Sequence, residues 1–101
     1  MADMDGEWNC VTRTPMGPQK SVLTVRSNGA SFTGTNASPL GSLDILEGVI
    51  DGDTLHWVME TKVPFPLKLT ARATVADDII EGVVDAGAMG KMPMSGTRNK
   101  G

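Results

Sequence analysis

The residues that could do chemistry in this 101-residue chain are few and widely separated. There is one cysteine, Cys10, and one histidine, His56. A reactive thiol needs a basic neighbour to favour its thiolate, and Cys10 has none in sequence, so it reads as a small core residue. With a single imidazole, a His-based metal site would have to recruit carboxylates. The run Met89, Met92, Met94 is expected to line a pocket; as a copper site it is a weak signal inside a strand and loop. No metal and no cofactor is expected. His56, opposite Glu47 across a hairpin, is expected to form a structural hydrogen-bonded pair. Asp44 is the candidate acid–base group. Turned into an apolar interior, its carboxyl would have a raised pKa, fitting it for proton transfer or for a ligand's polar handle. The competing reading has Asp44 capping the loop after Gly41-Ser42 at the surface. Trp57, followed at the next same-face position by Met59, offers the largest apolar surface available to a ligand. The chain has no phosphate-binding glycine loop, no G-x-S-x-G, no paired cysteine motif and no nucleic-acid signature.

Strands must position these residues. Residues 43–61 read as two strands joined by Asp51-Gly52, a pair suited to a two-residue type I′ turn. Residues 67–75 alternate Leu67, Leu69, Ala71, Ala73 and Val75 against Lys68, Thr70, Arg72 and Thr74, the period of a half-buried strand. Further strands are expected at 7–13, 21–26, 30–36, 79–85 and 92–98. No stretch sustains a helical apolar period. About eight strands in meander order predict an all-β fold, an antiparallel up-and-down β-barrel spanning residues 1–101 as a single domain. Closure also removes the exposed edges that an open sheet would leave. The alternative is two smaller sheets completed by a dimer partner.

In a meander, alternate connections lie at opposite ends. One end collects the short polar turns around Ser27-Asn28-Gly29, Asp51-Gly52 and Asp77-Asp78. The other collects longer loops, each with a large apolar residue: Met16, Leu40, Phe65 and Met89. An apolar rim at a barrel mouth suggests ligand binding, unless these four residues fold inward as a plug. Alternation also places Cys10, Thr12, Asn36, Ile80, Val84 and Ala86 inside. In the central hairpin, taking Leu55, Trp57 and Met59 as inward turns Leu46 and Asp44 inward as well. Ile45, Val49 and Val58 make the opposite face apolar too, so the inward face of residues 43–61 stays open. A two-sided apolar hairpin points to a homodimer or larger homo-oligomer.

The formal charge of −3 supplies no basic face for nucleic acid or anionic membrane. No segment approaches the apolar length of a membrane helix, and the opening MADMDGEWNC lacks the basic and apolar regions of a secretory signal. With one cysteine and no internal disulfide, a reducing cytoplasm is the expected compartment. Aromatics make up only 4% of the chain against seven methionines, which implies an adaptable interior.

Gly6-Glu7-Trp8 on the first strand and Gly96-Thr97-Arg98 on the last resemble the calycin barrels, the lipocalin and avidin-type proteins. The resemblance implies that Arg98 packs over the Trp8 indole at the closed end of a calycin-like barrel. An even strand number brings the two to one end in any case. The lipocalin C-terminal helix is absent, and avidin's biotin-stacking tryptophans have no clear counterpart beyond Trp57, so neither ligand class carries over. Three functional readings follow. The first is a barrel binding a small apolar molecule through Met16, Leu40, Trp57, Met59, Phe65, Met89 and Met92. The second is a cofactor-free lyase, isomerase or cyclase with Asp44 as its acid–base group. A third is an interaction module working through its dimer surface.

Overall fold

The computed structural model describes residues 4–14, 17–39, 41–61, 66–87 and 90–99, without the side chain of Thr61. The strands are β1 (Gly6–Thr14), β2 (Gly17–Asn28), β3 (Ser31–Ser38), β4 (Gly41–Asp44), β5 (Leu46–Asp51), β6 (Thr54–Thr61), β7 (Leu67–Ala76), β8 (Ile79–Asp85) and β9 (Lys91–Arg98). Both β4 and β5 pair with β3, so they are two halves of one strand interrupted at Ile45. Because β1 pairs with β9 and β2 with β3, the ring closes. The result is an all-β, eight-stranded antiparallel barrel in up-and-down order, as the meander pattern implied. There is no α-helix among the described residues.

Alternation fixes the interior. Ala71, Ala73 and Val75 of β7 are buried, as are Ile80 and Val84 of β8 and Leu55, Trp57 and Met59 of β6. Trp57 lies directly opposite Ala71, a small neighbour that leaves width for the indole. The Phe32 ring meets the Trp57 ring edge-on, with centroids 6.0 Å apart and planes at 77°, a favourable quadrupole arrangement.

Two expectations need correction. The first concerns the central hairpin. Asp51 pairs with Thr54, so the turn residues are Gly52-Asp53, not Asp51-Gly52. Only Gly52 has positive φ (61°), the pattern of a II′ rather than a I′ turn. A β-bulge then interrupts the register between Leu46 and Val49, with Glu47 at φ 51°. An extra residue reverses the facing of everything before it. Ile45 is therefore buried, Leu46 is 38% exposed on the outer face, and Asp44 is exposed rather than inward. His56 pairs with Val49, so it does not sit across from Glu47.

The second concerns the connections at the mouth. The prolines and glycines of residues 14–19 and 37–41 do not spread into long loops. Thr14 pairs with Gly17 and Ser38 with Gly41, leaving two residues between strands in each case. The same device ends both hairpins: the Thr14 hydroxyl donates to the Gly17 carbonyl at 2.8 Å, and the Ser38 hydroxyl to the Gly41 carbonyl at 3.2 Å. Gly17 and Gly41 adopt φ of 107° and 134°, a region L-residues avoid. Two of the four mouth connections are thus as short as the turns at the far end.

Candidate functional site

The far end is sealed by side chains. Trp8 and Arg98 face each other across the β1–β9 ladder, and the guanidinium carbon lies 4.3 Å from the indole centroid. The Trp8 ring nitrogen donates to the Met4 carbonyl at 3.2 Å. The Arg98 Nε donates to Asp78 Oδ1 at 3.0 Å, and one terminal nitrogen donates to the Asp5 carbonyl at 2.9 Å. This cluster ties the segment before β1, the β7–β8 turn and the last strand together. Its polar groups serve one another.

The mouth is built differently. Registered pairing of β2 with β3 begins only at Val22 and Ala37, so Gly17–Ser21 pair with β1 alone. Among the described residues, β4 has no ladder to β6, although the two segments lie side by side. The β4 segment therefore lies beside β6 without backbone pairing to it. Asn36 bridges that gap, its amide N–H donating to the Met59 Sδ at 3.5 Å. Its Oδ1 is buried and has no hydrogen-bond partner. The Trp57 indole N–H, on a residue 2% exposed, is also buried without a partner. The core cluster to which Trp57 and Met59 belong is apolar: Phe32 and Ile45 are buried in it, and Leu43, Leu69 and Met92 pack half-buried against it. Of the predicted ligand-binding residues, Trp57, Met59 and Met92 thus lie inside the barrel. Met16, Leu40, Phe65 and Met89 lie outside the described residues.

Alternation in the sequence already turns Asn36 inward, on the face of β3 that carries Phe32 and Gly34, but gives no sign that its Oδ1 lacks a partner. Asp44, the predicted acid–base group, is carried to the outer face by the bulge. No cluster of three or more His, Cys, Asp or Glu side chains suited to a metal occurs among the described residues. Cys10 is buried, and desolvation pushes its thiol up to about 11 despite a backbone hydrogen bond from Leu23, which makes it a poor nucleophile at neutral pH.

The two larger concavities lined by described residues open elsewhere. One of about 580 Å³ lies where the β1–β2 hairpin parts from β3, lined by Asn9, Val11, Val22, Ala37 and Pro39 among others. Another, of about 480 Å³, is on the outer face of β6–β8, with His56, Arg72, Glu81 and Lys91 on its walls. Both mix charged or polar groups with short apolar ones, and neither encloses an unpartnered buried atom.

Fold and site together define a class: a closed antiparallel barrel, sealed at one end by a cation–indole cluster and holding two unpartnered buried polar atoms in its interior. No protein-family model matches the chain, and no curated protein matches it in sequence. No helix among the described residues is long and apolar enough to cross a membrane.

Proposed function

We propose that this calycin-like barrel binds a small, mainly apolar molecule inside its mouth, against Trp57, Met59 and Met92, with Met16, Leu40, Phe65 and Met89 as its rim. The observation that carries the reading is the Trp57 indole N–H, buried in an apolar interior with no acceptor. A buried donor left unmade costs about 1–3 kcal/mol, and a bound molecule that accepts from it recovers that cost. The proposal is for a binder, not an enzyme. The acid–base role suggested for Asp44 needed an enclosed carboxylate, and Asp44 is exposed. Leu46 and Val49, 38% and 47% exposed on the outer face of β5, support the further proposal of a homodimer through that face, testable by sedimentation. A cytoplasmic setting is proposed from the lone buried Cys10.

Native mass spectrometry of protein purified from its host tests the binding reading. A retained mass that disappears in Trp57→Ala supports it. Retention of the same mass by that variant, with Trp57 still essential to no measured affinity, removes the mouth as the site.

A further inference from the structure

The two unpartnered atoms are of opposite kinds. The indole of Trp57 can only donate, and the Oδ1 of Asn36 can only accept. The orientation of the amide is set by the Met59 sulfur, an acceptor, which takes the amide N–H and leaves Oδ1 pointing away. The atoms also belong to neighbouring rungs of one face. Phe32 and Asn36 lie on β3 with only Gly34 at the inward position between them. Trp57 and Met59 are consecutive inward residues of β6, about 7 Å apart along the strand. Phe32 touches Trp57, and Asn36 touches Met59. A buried donor and a buried acceptor thus belong to facing strands, β6 and β3, beside the Phe32 ring and the Met59 sulfur.

We infer that the ligand carries a hydrogen-bond acceptor and donor on adjacent positions of one neutral group, as in a secondary amide or lactam, with hydrocarbon around it. This rests on the binding reading above. The ligand's carbonyl accepts from Trp57 and its N–H donates to Asn36 Oδ1. Charge argues for neutrality. No buried residue among those described is charged, and Arg98, at the sealed end, is engaged with Asp78, Asp5 and Trp8. An anion or cation enclosed beside Trp57 would be desolvated with no charged residue among the buried described ones to face it, which proteins avoid. A purely hydrocarbon ligand would leave both polar atoms as they are. A group offering only an acceptor would satisfy Trp57 and strand Asn36.

The test uses four probes of similar size: caprolactam, N-methylcaprolactam, cycloheptanone and hexanoate. Binding is followed through the two indole ¹H–¹⁵N resonances of the intact protein, with the Trp8 resonance reporting an undisturbed fold. Caprolactam is expected to move the Trp57 resonance and leave that of Trp8. It should bind about tenfold more tightly than cycloheptanone or the N-methyl compound, the effect of one buried polar atom left unpaired. Hexanoate should bind least. In Asn36→Leu the preference for lactam over ketone should disappear while both still move Trp57. If that variant misfolds, the wild-type ranking alone decides. Equal binding of caprolactam and cycloheptanone overturns the donor–acceptor assignment but leaves a mouth that binds small molecules. A Trp57 N–H that shows a nuclear Overhauser contact to a long-lived water, and that no probe displaces, overturns the ligand class. If no probe moves either the Trp57 resonance or the Met59 methyl, both this inference and the binding reading fail.

Discussion

Trp8 and Trp57 are both enclosed, at 0% and 2% exposure, on the inner wall of the same barrel. Around Trp8 every polar contact is answered: its N–H reaches the Met4 carbonyl, and a cation covers its face. Around Trp57 the ring packs equally well, edge-on to Phe32, yet its N–H reaches nothing. The apolar driving force is similar in the two places. What differs is whether the fold itself finishes the hydrogen bonding. A site complete without a ligand stabilises; one left incomplete has capacity to bind.

Conservative replacement of each tryptophan should separate them most. Trp8→Phe leaves a void, removes the bond to Met4 and loses indole surface under Arg98, so a loss of about 2–4 kcal/mol is expected. Trp57→Phe leaves a comparable void but also deletes an unpaired donor, which offsets part of the cost. Its loss should be smaller by about 1–2 kcal/mol. Urea unfolding with unchanged slope measures both. Equal losses would break the contrast.

Arg98→Met tests the sealed end from the other partner. It keeps the aliphatic stem over the indole but removes the charge. The cation–π contact contributes roughly 0.5–2 kcal/mol. The half-exposed ion pair with Asp78 adds less than about 1 kcal/mol. A loss of about 1–2 kcal/mol is therefore expected. The same replacement should leave binding at the mouth unaffected. A variant that loses both stability and ligand would mean the two ends are coupled.

The sealed end was legible in the sequence and the mouth only in part, for a physical reason. Trp8 and Arg98 sit on unbroken strands, so counting residues and strands brings them together. Leu67–Val75 and the inward set of β6 were legible on the same ground. Asp44 was lost because facing is a parity, and one extra residue at Glu47 inverts it. Nothing in Leu46-Glu47-Gly48 announces a bulge except a glycine. The shift of the turn from Asp51-Gly52 to Gly52-Asp53 has a similar origin, since either pair can close a hairpin. At the mouth, Pro18 and Gly17 read as loop because proline weakens a strand interior. It is tolerated here because Pro18 lies where β2 has no ladder on its second side. Asn36 could be placed inside by alternation, but its missing partner is a matter of three dimensions.

Cys10 lies between the two ends and gives a smaller test. Its thiol, raised to about 11 by burial from an ordinary value of 9.0, favours the folded state in its neutral form. That stabilisation is complete below pH 9 and is lost as pH rises toward 11. Stability should therefore fall across that window in the native protein and stay flatter in Cys10→Ala. Alkylation at pH 8 should proceed only as fast as the barrel opens. Rapid labelling of the folded protein would show that the wall beside the β2–β3 gap is permeable.

The smallest effect belongs to Asp5, at the rim of the sealed end. Its carboxylate accepts the Ser27 backbone N–H at 2.6 Å. Hydrogen bonds from the Ser27 side chain and backbone hold its pKa below the ordinary 3.8, against a slight opposing desolvation. A depressed folded pKa contributes stability that is present above about pH 3.8 and is lost as pH falls through the lower folded value. Asp5→Asn should thus lower stability slightly at neutral pH and flatten the acid limb below pH 4, with wild type and variant converging as Asp5 protonates. Because the group faces solvent, water competes for the same hydrogen bonds, which keeps the difference small. The informative comparison is with binding. If the sealed end only stabilises, acid unfolding curves should change while the Trp57 resonance of the folded protein stays where it was. A displacement of that resonance by Asp5→Asn at pH 7 would show that the sealed end also shapes the mouth, and the division of the barrel into a finished end and an unfinished one would fail.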